Sequence, residues 1–369
     1  MTLLIVSLPG DAHALATKWA VEERGGKAHF ISWSDFPQLV GASYEVATGR
    51  PGCPSLSLRQ AADIAADIDV LWNHRKLDAV PPPGIDPADH PPIVQNSEAF
   101  YRGFIAALER QAFAVNPTAS KWYFDNKLTQ LDLARRCGFR IPATLVSNDL
   151  DRIRSFLAAT GDCIVKPLRF MRWDATDANI SSYTTSVPDL AAVDPLAITA
   201  CPMIYQEKIE KVAEYRVVVF GDEVLGFRLG SQQDQGASVD WRAINYRALP
   251  TSFEPLPETV AQKVLAFTRA CGFVTGSMDL ALTPAGEFVF FEMNETGQFI
   301  WLEENCPDVP MVDIFASFLI SRDPHFRYDW RQTPLRYSDW VVNAREVRAE
   351  DYASHVVTRL DKRFPDKAA

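Results

Sequence analysis

Two acidic residues and an asparagine lie in two neighbouring strand patterns of this chain. Asp279 belongs to the apolar run 277–282, and Glu292 and Asn294 belong to the run 288–294. Carboxylates on an otherwise apolar hairpin are costly unless a cation neutralises them. Carboxylate and amide oxygens suit Mg²⁺, with phosphates and waters completing its coordination shell. The pattern predicts a magnesium site on this hairpin; the alternative is a solvated edge that carries unrelated acids.

The parity of the hairpin decides whether its two carboxylates meet. Strand side chains alternate between the two faces. One face is therefore predicted to carry Phe288, Phe290, Glu292 and Asn294. An even number of loop residues places Asp279 on that face within reach of Glu292, and an odd number places it on the other face. The residues Thr-Pro-Ala-Gly at 283–286 mark the turn, so the shared site is conditional on an even loop.

Several basic residues precede this hairpin. Lys127 lies in the first turns of a predicted helix, and Lys166 ends the apolar run 163–165. Either ammonium could point at a phosphate, although a solvated or snorkelling lysine is the commoner case. Arginine forks suit carboxylates and phosphoryl groups. Three arginines on or beside the later strands are candidates: Arg216, Arg228 and Arg242. Taken singly, each is better explained by a surface ion pair.

The segment Gln206-Glu207-Lys208-Ile209 ends one strand pattern and begins an irregular link. An adenine edge presents one hydrogen-bond donor beside one acceptor, and exposed main chain between two lobes can satisfy both. The segment is a candidate nucleotide hinge, although its sequence alone is a weak signal.

Composition excludes several classes of protein. The 369 residues suffice for two or three packed subdomains. The net charge of −10 counts against a nucleic-acid binder. No apolar run is long enough to span a bilayer, so we expect no membrane partner. The six cysteines form no Cys-x-x-Cys pair, which favours reduced thiols in a cytoplasmic protein. The six histidines show no metal spacing, so we assign them no catalytic role.

The order of predicted elements divides the chain. Strand and helix patterns alternate in the first part and predict an open α/β layer. Asn116-Pro117-Thr118 breaks that alternation, and we place a domain boundary near it. A helix is predicted over 121–137, and short β-branched strands dominate from Cys163 onward. The last long helix is predicted over 308–320.

These motifs stand in an order that resembles the ATP-grasp ligases. A helix lysine is followed by Ile-Val-Lys-Pro at 164–167, Gln-Glu-x-Ile at 206–209, and Asp-Leu at 279–280 before Phe-x-Glu-x-Asn. The closer likeness is to the microviridin-type or graspetide ligases, which mature ribosomal peptides. Its most specific segment is the run from Glu-Met-Asn to Trp-Leu-Glu at 292–303. Shorter supporting segments lie at 69–75, 115–117, 126–131 and 141–146.

The resemblance implies an ATP-grasp fold, α/β and α+β, that clamps a nucleotide between two lobes. The expected divisions are an N-terminal open α/β (pre-ATP-grasp) domain over 1–118, a central lobe over 119–205, a C-terminal lobe with the Mg²⁺-ATP site over 206–330, and a tail over 331–369. The expected cofactors are ATP and Mg²⁺. The family often forms homodimers, so a homodimer is also expected.

The resemblance also implies a role for each candidate residue. It places Lys127 and Lys166 at the phosphates and Glu214 at the ribose of ATP. It forms the adenine hinge from Gln206, Glu207, Lys208 and Ile209. It places magnesium on Asp279, Glu292 and Asn294, and it assigns Asn294 to the bound nucleotide as well. It assigns a catalytic role to three arginines, which would stabilise the transferring phosphoryl group and the acyl-phosphate: Arg216, Arg228 and Arg242.

The implied activity is an ADP-forming ligation on a ribosomal precursor peptide with leader and core. Asp or Glu side chains are activated as acyl-phosphates and captured by Ser, Thr or Lys, which gives macrolactones or macrolactams. Two alternatives remain open: a ligase that adds a free amino acid to a protein tail or small molecule, and a non-catalytic nucleotide-binding scaffold. Two departures from the family pattern are Glu214, where aspartate is usual, and the absence of glycine from the phosphate loop 168–185.

Overall fold

The structure is a computed structural model that describes residues 1–58, 63–169, 172–174, 179–181, 184–233, 247 and 249–356. Its strands are Thr2–Val6 (β1), Lys27–Ile31 (β2), Val40–Ala47 (β3), Arg50–Leu58 (β4), Val70–Asn73 (β5), Phe113–Val115 (β6), Thr144–Ser147 (β7), Cys163–Lys166 (β8), Arg172–Asp174 (β9), Asn179–Ser181 (β10), Thr185–Ser186 (β11), Met203–Glu207 (β12), Ala213–Phe220 (β13), Glu223–Leu229 (β14), Thr251–Phe253 (β15), Thr275–Leu282 (β16) and Phe288–Asn294 (β17). Its helices are Ala12–Glu23 (α1), His90–Glu109 (α2), Thr118–Phe124 (α3), Lys127–Arg136 (α4), Leu150–Thr160 (α5), Pro195–Thr199 (α6), Glu258–Ala270 (α7), Ile300–Asn305 (α8), Met311–Ser321 (α9), Tyr337–Val341 (α10) and Ala344–Ser354 (α11).

The first sheet is parallel, in the order β2-β1-β5-β6. Leu3, Leu4, Ile5 and Val6 are fully buried because helices or loops cover both faces of β1, as a parallel sheet requires. Asp11 caps α1 by accepting hydrogen bonds from two backbone N–H groups of its first turn. The predicted open α/β layer is confirmed.

Two antiparallel sheets follow. The smaller has the order β11-β8-β12-β7 and carries α5 and α6 on one face, where Ile153, Ile198 and Tyr205 form its core. The larger has the order β15-β14-β13-β16-β17. Every residue of its central strand β13 is buried, so this sheet has apolar or enclosed surfaces on both sides. The predicted mixture of α/β and α+β architecture is confirmed.

Three elements differ from the sequence predictions. The helix predicted over 121–137 is two helices, because the side chain of Asn126 caps a new helix at the N–H of Leu128. The hairpin of β3 and β4 lacks a counterpart in the predictions. The expected tail, 331–369, contains α10 and α11, and residues 357–369 lie outside the described residues. The domain boundaries stay predictions.

A buried ion pair joins the first helix to α9. Asp313 is fully buried. Arg24 donates to Asp313 from Nε at 2.8 Å and from Nη2 at 2.6 Å, and Tyr328 Oη donates to the same carboxylate at 2.5 Å. Two charges out of water are tolerated only while each is paired and hydrogen-bonded. Asp313 thus fastens the N-terminal layer to the C-terminal lobe.

The carboxy-terminal helix returns to the first sheet through His355. Its Nδ1 lies 2.6 Å from Asp35 Oδ2 and its Nε2 lies 3.3 Å from Asp351 Oδ1. Burial lowers the pKa of His355, but the hydrogen bonds to these two carboxylates outweigh it and raise the pKa to about 9. His355 is therefore charged at neutral pH.

All six cysteines are free thiols; Cys163 and Cys271 are buried, and Cys53 and Cys201 are exposed. Within the described ranges, each helix is too short or too polar to cross a membrane.

We expect Asp313→Ala to lower the free energy of unfolding by about 2–4 kcal/mol, because it leaves the buried Tyr328 hydroxyl and the partly buried Arg24 without their partner. Urea denaturation followed by circular dichroism measures the change. Asp329→Ala is the matched control, since Asp329 is solvent-exposed and pairs with the exposed Arg331. Equal losses in the two variants would contradict the structural role of Asp313.

We also expect stability to fall at high pH through His355. Its folded-state pKa lies above its ordinary value of 6.5, so its contribution is complete below that value and disappears as the pH rises through 9. The contribution is about 2–3 kcal/mol. Urea titrations across this range, for the wild type and for His355→Gln, measure it. The difference between the two proteins should shrink at high pH; a constant difference argues against the assignment.

Candidate active site

The two predicted metal carboxylates meet on the β16–β17 hairpin. Leu282 pairs with Phe288, which leaves the five residues 283–287 in the loop. This odd loop would separate Asp279 from Glu292 in a regular ladder. A β-bulge between Asp279 and Leu280 inserts one extra residue on β17 and restores the parity. Asp279 is therefore directly opposite Glu292.

The same bulge corrects the predicted face of β17. Phe288 and Phe290 pair with Leu282 and Leu280, and Phe290 lies in the core with Met278 and Met293. Glu292 and Asn294 face the other side. The prediction that all four residues share one face is wrong for the two phenylalanines, because one additional residue moves every later side chain to the opposite face.

Two cations flank the carboxylates. Arg216 is the β13 neighbour of Asp279, and its Nη1 donates to Asp279 Oδ1 at 2.8 Å. Lys127 Nζ lies 2.8 Å from Glu292 Oε2. Arg216 and Asp279 are 6% and 7% exposed, so this pairing is made almost without water. Lys127, Glu292, Asp279 and Arg216 thus form a row in which two adjacent anions lie between two cations; we call it the charge row.

Two amide side chains hold the ends of these strands. Gln130 accepts from Met293 N and donates to Met293 O, each at 2.9 Å. Asn116 accepts from Thr275 N at 3.1 Å and donates to Glu295 O at 3.1 Å. Sequence reasoning assigned neither residue a role. The Asn-Pro pair at 116–117 was a signal, but one that also fits an ordinary chain breaker.

Glu214 lies on the same face of the sheet as Arg216, opposite Ala281. Lys211 Nζ lies 2.7 Å from Glu214 Oε1, and Ser231 Oγ donates to the same oxygen at 3.0 Å. Burial raises the pKa of Glu214 despite these partners. Tyr215, the residue between Glu214 and Arg216, faces the opposite core and leaves this side open.

The candidate hinge connects the two antiparallel sheets. Gln206 is buried and donates from Nε2 to Thr144 Oγ1 at 2.8 Å. The carboxylate of Glu207 accepts from Ala143 N at 3.0 Å. The backbone N–H of Lys208 donates to Asp162 O at 2.9 Å. These contacts fix the strand end and the start of the link.

Ile209 completes the hinge with an apolar surface. It is buried and packs with Ala281 and Val289, with Phe291 against them. Ala281 and Val289 share the sheet face of Asp279 and Glu214. An apolar floor beside a main-chain link suits a flat heteroaromatic base.

Three further candidates are placed differently. Lys166 shares with Gln206 the face of the small sheet opposite α5. Arg228 pairs with Tyr215 and therefore lies on the sheet face opposite the charge row; its Nη1 is 3.8 Å from Glu254 Oε1. The structure does not bring Arg228 to Asp279. Arg242 and eight residues of the glycine-free loop 168–185 lie outside the described residues.

The residues present fit Mg²⁺. Mg²⁺ is bound by one or two carboxylates with phosphate oxygens and water, and Asp279 and Glu292 supply two adjacent carboxylates. Ser277 Oγ, opposite Asn294, is buried and makes no hydrogen bond with a described residue. A polar atom left in this way beside an amide indicates a site for a further polar partner. Among the described residues, no group of three or more His, Cys, Asp or Glu side chains gathers as a metal site, so the candidate set depends on the amide.

Known structures resemble this chain over most of its length. A ligase from Chryseobacterium gregarium described as RiPP-associated and ATP-grasp, in complex with ADP and a leader and core peptide, superposes with a TM-score of 0.78 at 23% identity, over 88% of this chain and 99% of its own. Macrocyclase MdnC of Microcystis aeruginosa, bound to precursor peptide MdnA, gives 0.74 at 26%, over 87% and 100%. Macrocyclase MdnB of the same organism gives 0.70 at 27%, over 86% and 99%.

The chain therefore has the ATP-grasp fold, and its predicted resemblance to peptide-maturing ATP-grasp ligases is confirmed. No family model matches the sequence. No curated protein matches it either.

We expect Glu292→Gln to lose most of the Mg²⁺-dependent rise in melting temperature of the ADP-bound protein. The wild type should gain about 3 °C or more when Mg²⁺ is added, and the variant much less, because it lacks one anionic oxygen. Differential scanning fluorimetry of each protein, with and without Mg²⁺, measures this increment. Glu287→Gln in the hairpin loop is the control. An unchanged increment in Glu292→Gln would remove Glu292 from the metal site.

Proposed function

We propose that this protein is an ATP-dependent ligase that crosslinks a ribosomal precursor peptide. The observation that carries the proposal is the charge row, which lies on an enclosed sheet face of a fold shared with macrocyclases. MdnC was solved with its precursor peptide and the Chryseobacterium ligase with ADP and a leader and core peptide. The substrates we propose here are likewise ATP and a peptide with leader and core.

The charge row supplies opposite functions at its two ends. Asp279, Glu292 and Asn294 would hold Mg²⁺, which when bound neutralises the phosphates of ATP. Lys127 Nζ lies 2.8 Å from Glu292 Oε2, and its ammonium would bind a phosphate oxygen of the nucleotide beside that carboxylate. Arg216 donates to Asp279 at 2.8 Å and would present its remaining N–H groups to the phosphoryl group. These groups position charge and need no covalent chemistry of their own.

The nucleotide would lie along the same face. Its base would pack on Ile209, with the main chain of Gln206, Glu207 and Lys208 at its edge. Glu214 would accept a ribose hydroxyl. Lys166 would reach the phosphates from the small sheet. We assign Arg228 no part in this arrangement, and the role of Arg242 stays a prediction from the resemblance.

The proposed reaction has two steps. A carboxylate oxygen of a substrate Asp or Glu attacks the γ-phosphorus of ATP, and ADP leaves. A Ser or Thr hydroxyl, or a Lys amine, then attacks the acyl carbon; it loses its proton, and inorganic phosphate leaves. Each crosslink removes one water from the peptide overall. The product is a macrolactone for a hydroxyl and a macrolactam for an amine.

Two further properties belong to the proposal. We place the protein in the cytoplasm, where ATP is available and where its free cysteines stay reduced. The homodimer stays a prediction. Neither the free-amino-acid ligase nor the non-catalytic scaffold is favoured by a particular contact in the structure.

We expect incubation with ATP, Mg²⁺ and a Thr- and Glu- or Asp-rich peptide encoded beside the gene to remove one water mass per crosslink. The number of water molecules lost per peptide, measured by mass spectrometry, should equal the number of ADP molecules released per peptide. Glu292→Gln should reduce turnover by about 100-fold or more. Its circular dichroism spectrum should match that of the wild type, which would show that the fold persists.

Other outcomes reject this proposal in distinct ways. ADP release with small amines and no peptide indicates the free-amino-acid ligase. Nucleotide binding without turnover, for every encoded peptide, indicates the scaffold. Normal turnover in Glu292→Gln refutes the metal assignment while leaving the peptide substrate in place.

A further inference from the structure

A second polar cluster lies at the carboxyl edge of the first sheet. The chain leaves β1 for β2 on one side and later adds β5 on the other side of β1. In open parallel sheets, ligands bind outside the carboxyl ends of the strands where the order reverses in this way. Ser7 and Asp11 follow β1 at this edge, and His74 and Arg75 follow β5.

Three side chains converge on one oxygen of Asp11, which is buried at the start of α1. Ser7 Oγ donates to Asp11 Oδ2 at 3.1 Å, and Arg75 Nη1 donates to the same oxygen at 3.5 Å. His74 Nε2 lies 3.8 Å from it. The other oxygen, Oδ1, accepts the backbone N–H groups that cap α1. The carboxylate is fixed, and Arg75 is held beside it.

His74 marks this cluster as incomplete. Its ring is fully buried, yet neither nitrogen makes a hydrogen bond with any described residue. Burial is the largest cause that lowers the pKa of His74, to about 3, and that of the neighbouring His13 to about 4. Both rings are neutral at pH 7. The positive charge of this cluster therefore resides on Arg75.

Arg75 is the member of the cluster that a ligand can reach. Its side chain is 34% exposed, against 0% for His74 and 3% for Asp11. Within the described ranges, its guanidinium makes a single, long hydrogen bond, to Asp11. A guanidinium has five N–H donors in a planar fork that matches a carboxylate, so most of them remain available.

The cluster borders the loop that follows the candidate metal residues. His13 Nε2 accepts the backbone N–H groups of Phe299 and Ile300, both at 3.2 Å. Lys121 Nζ donates to Asn73 O at 2.5 Å and lies 4.0 Å from Glu295 Oε1. Glu295 is the residue after Asn294. The edge of the first sheet and the proposed magnesium end thus share one short segment of chain, 295–300.

We propose that Arg75, held by Asp11, binds a carboxylate of an acidic residue in the peptide substrate. This inference rests on the proposed function for the identity of the peptide. The site beside Arg75 at this edge of the first sheet, which we call the crevice, would hold an acidic side chain that is not the one being activated. The activated carboxylate must instead lie at the ATP phosphates. Arg75 is a binding residue here, and Asp11, His13 and His74 are positioning residues.

Peptide binding tests this inference without any turnover. The probes are a fluorescein-labelled synthetic peptide of alternating Thr and Glu, and the same peptide with Gln in place of Glu. Anisotropy titrations use the full-length protein with Mg²⁺-ADP. We expect the wild type to prefer the Glu peptide by about 10-fold or more. Arg75→Gln should lose most of that preference and Arg75→Lys should retain part of it. Arg110→Gln, a change at an exposed arginine that precedes β6 at the opposite edge of the same sheet, should match the wild type.

Each remaining outcome decides against the inference or separates it from the proposed function. A wild type that binds both peptides equally overturns the crevice, as does an Arg75→Gln variant that keeps the full preference. A loss of ADP affinity in Arg75→Gln, measured by the thermal shift, assigns Arg75 a purely structural role and also overturns it. If crosslinking fails while Arg75→Gln still loses the preference, the crevice stands and the proposed function falls.

Discussion

The charge row is the constraint on which the rest of the site depends. Asp279 and Glu292 are adjacent anions on a nearly water-free surface, and such a pair is stable only when positive charge lies close to each. Arg216 serves Asp279 from the neighbouring strand, and Lys127 serves Glu292 from a helix. This arrangement places one cation 2.8 Å from each carboxylate. It also makes Lys127 the cation that can more easily change its partner, because the side chain of Lys127 is 22% exposed and that of Arg216 only 7%.

The helix that provides Lys127 is positioned by the same strand that it serves. Lys127 and Gln130 are three residues apart and therefore lie on one face of α4. They meet consecutive residues of β17: Lys127 pairs with Glu292, and Gln130 makes two hydrogen bonds with the main chain of Met293. The main-chain contacts fix the helix independently of the partner that the Lys127 ammonium binds. Within the segment 126–131, Asn126 thus caps the helix, Lys127 supplies the positive charge and Gln130 attaches the helix to β17.

Sequence reasoning found the elements and several candidate residues that the structure brings together, but not their exact faces. The apolar runs and the order of motifs were enough to predict the sheet of Asp279 and Glu292. Whether Asp279 and Glu292 share a face was not predictable from the sequence. The loop has an odd number of residues, which would separate them, and a bulge adds one residue to β17, which brings them back together. Phe291, at the bulge, is an ordinary strand former that gives no local signal. The sheet face of Arg228 was not predictable for a related reason, since it depends on the register that pairs Arg228 with Tyr215.

The histidines show a different limit of sequence reasoning. His13 and His74 are 61 positions apart, so no spacing along the chain connects them, and only the parallel pairing of β1 with β5 brings their rings to 6.1 Å. Their neutrality matters for the proposed substrates, ATP and an acidic peptide, because the protein itself has a net charge of −10. A protonated His74 would compete with Arg75 for Asp11 and would lose the hydration that an exposed cation keeps. Because burial keeps the rings neutral, the guanidinium of Arg75 that reaches solvent carries the local charge, and the proposed acidic peptide would meet it at the surface and not in the core.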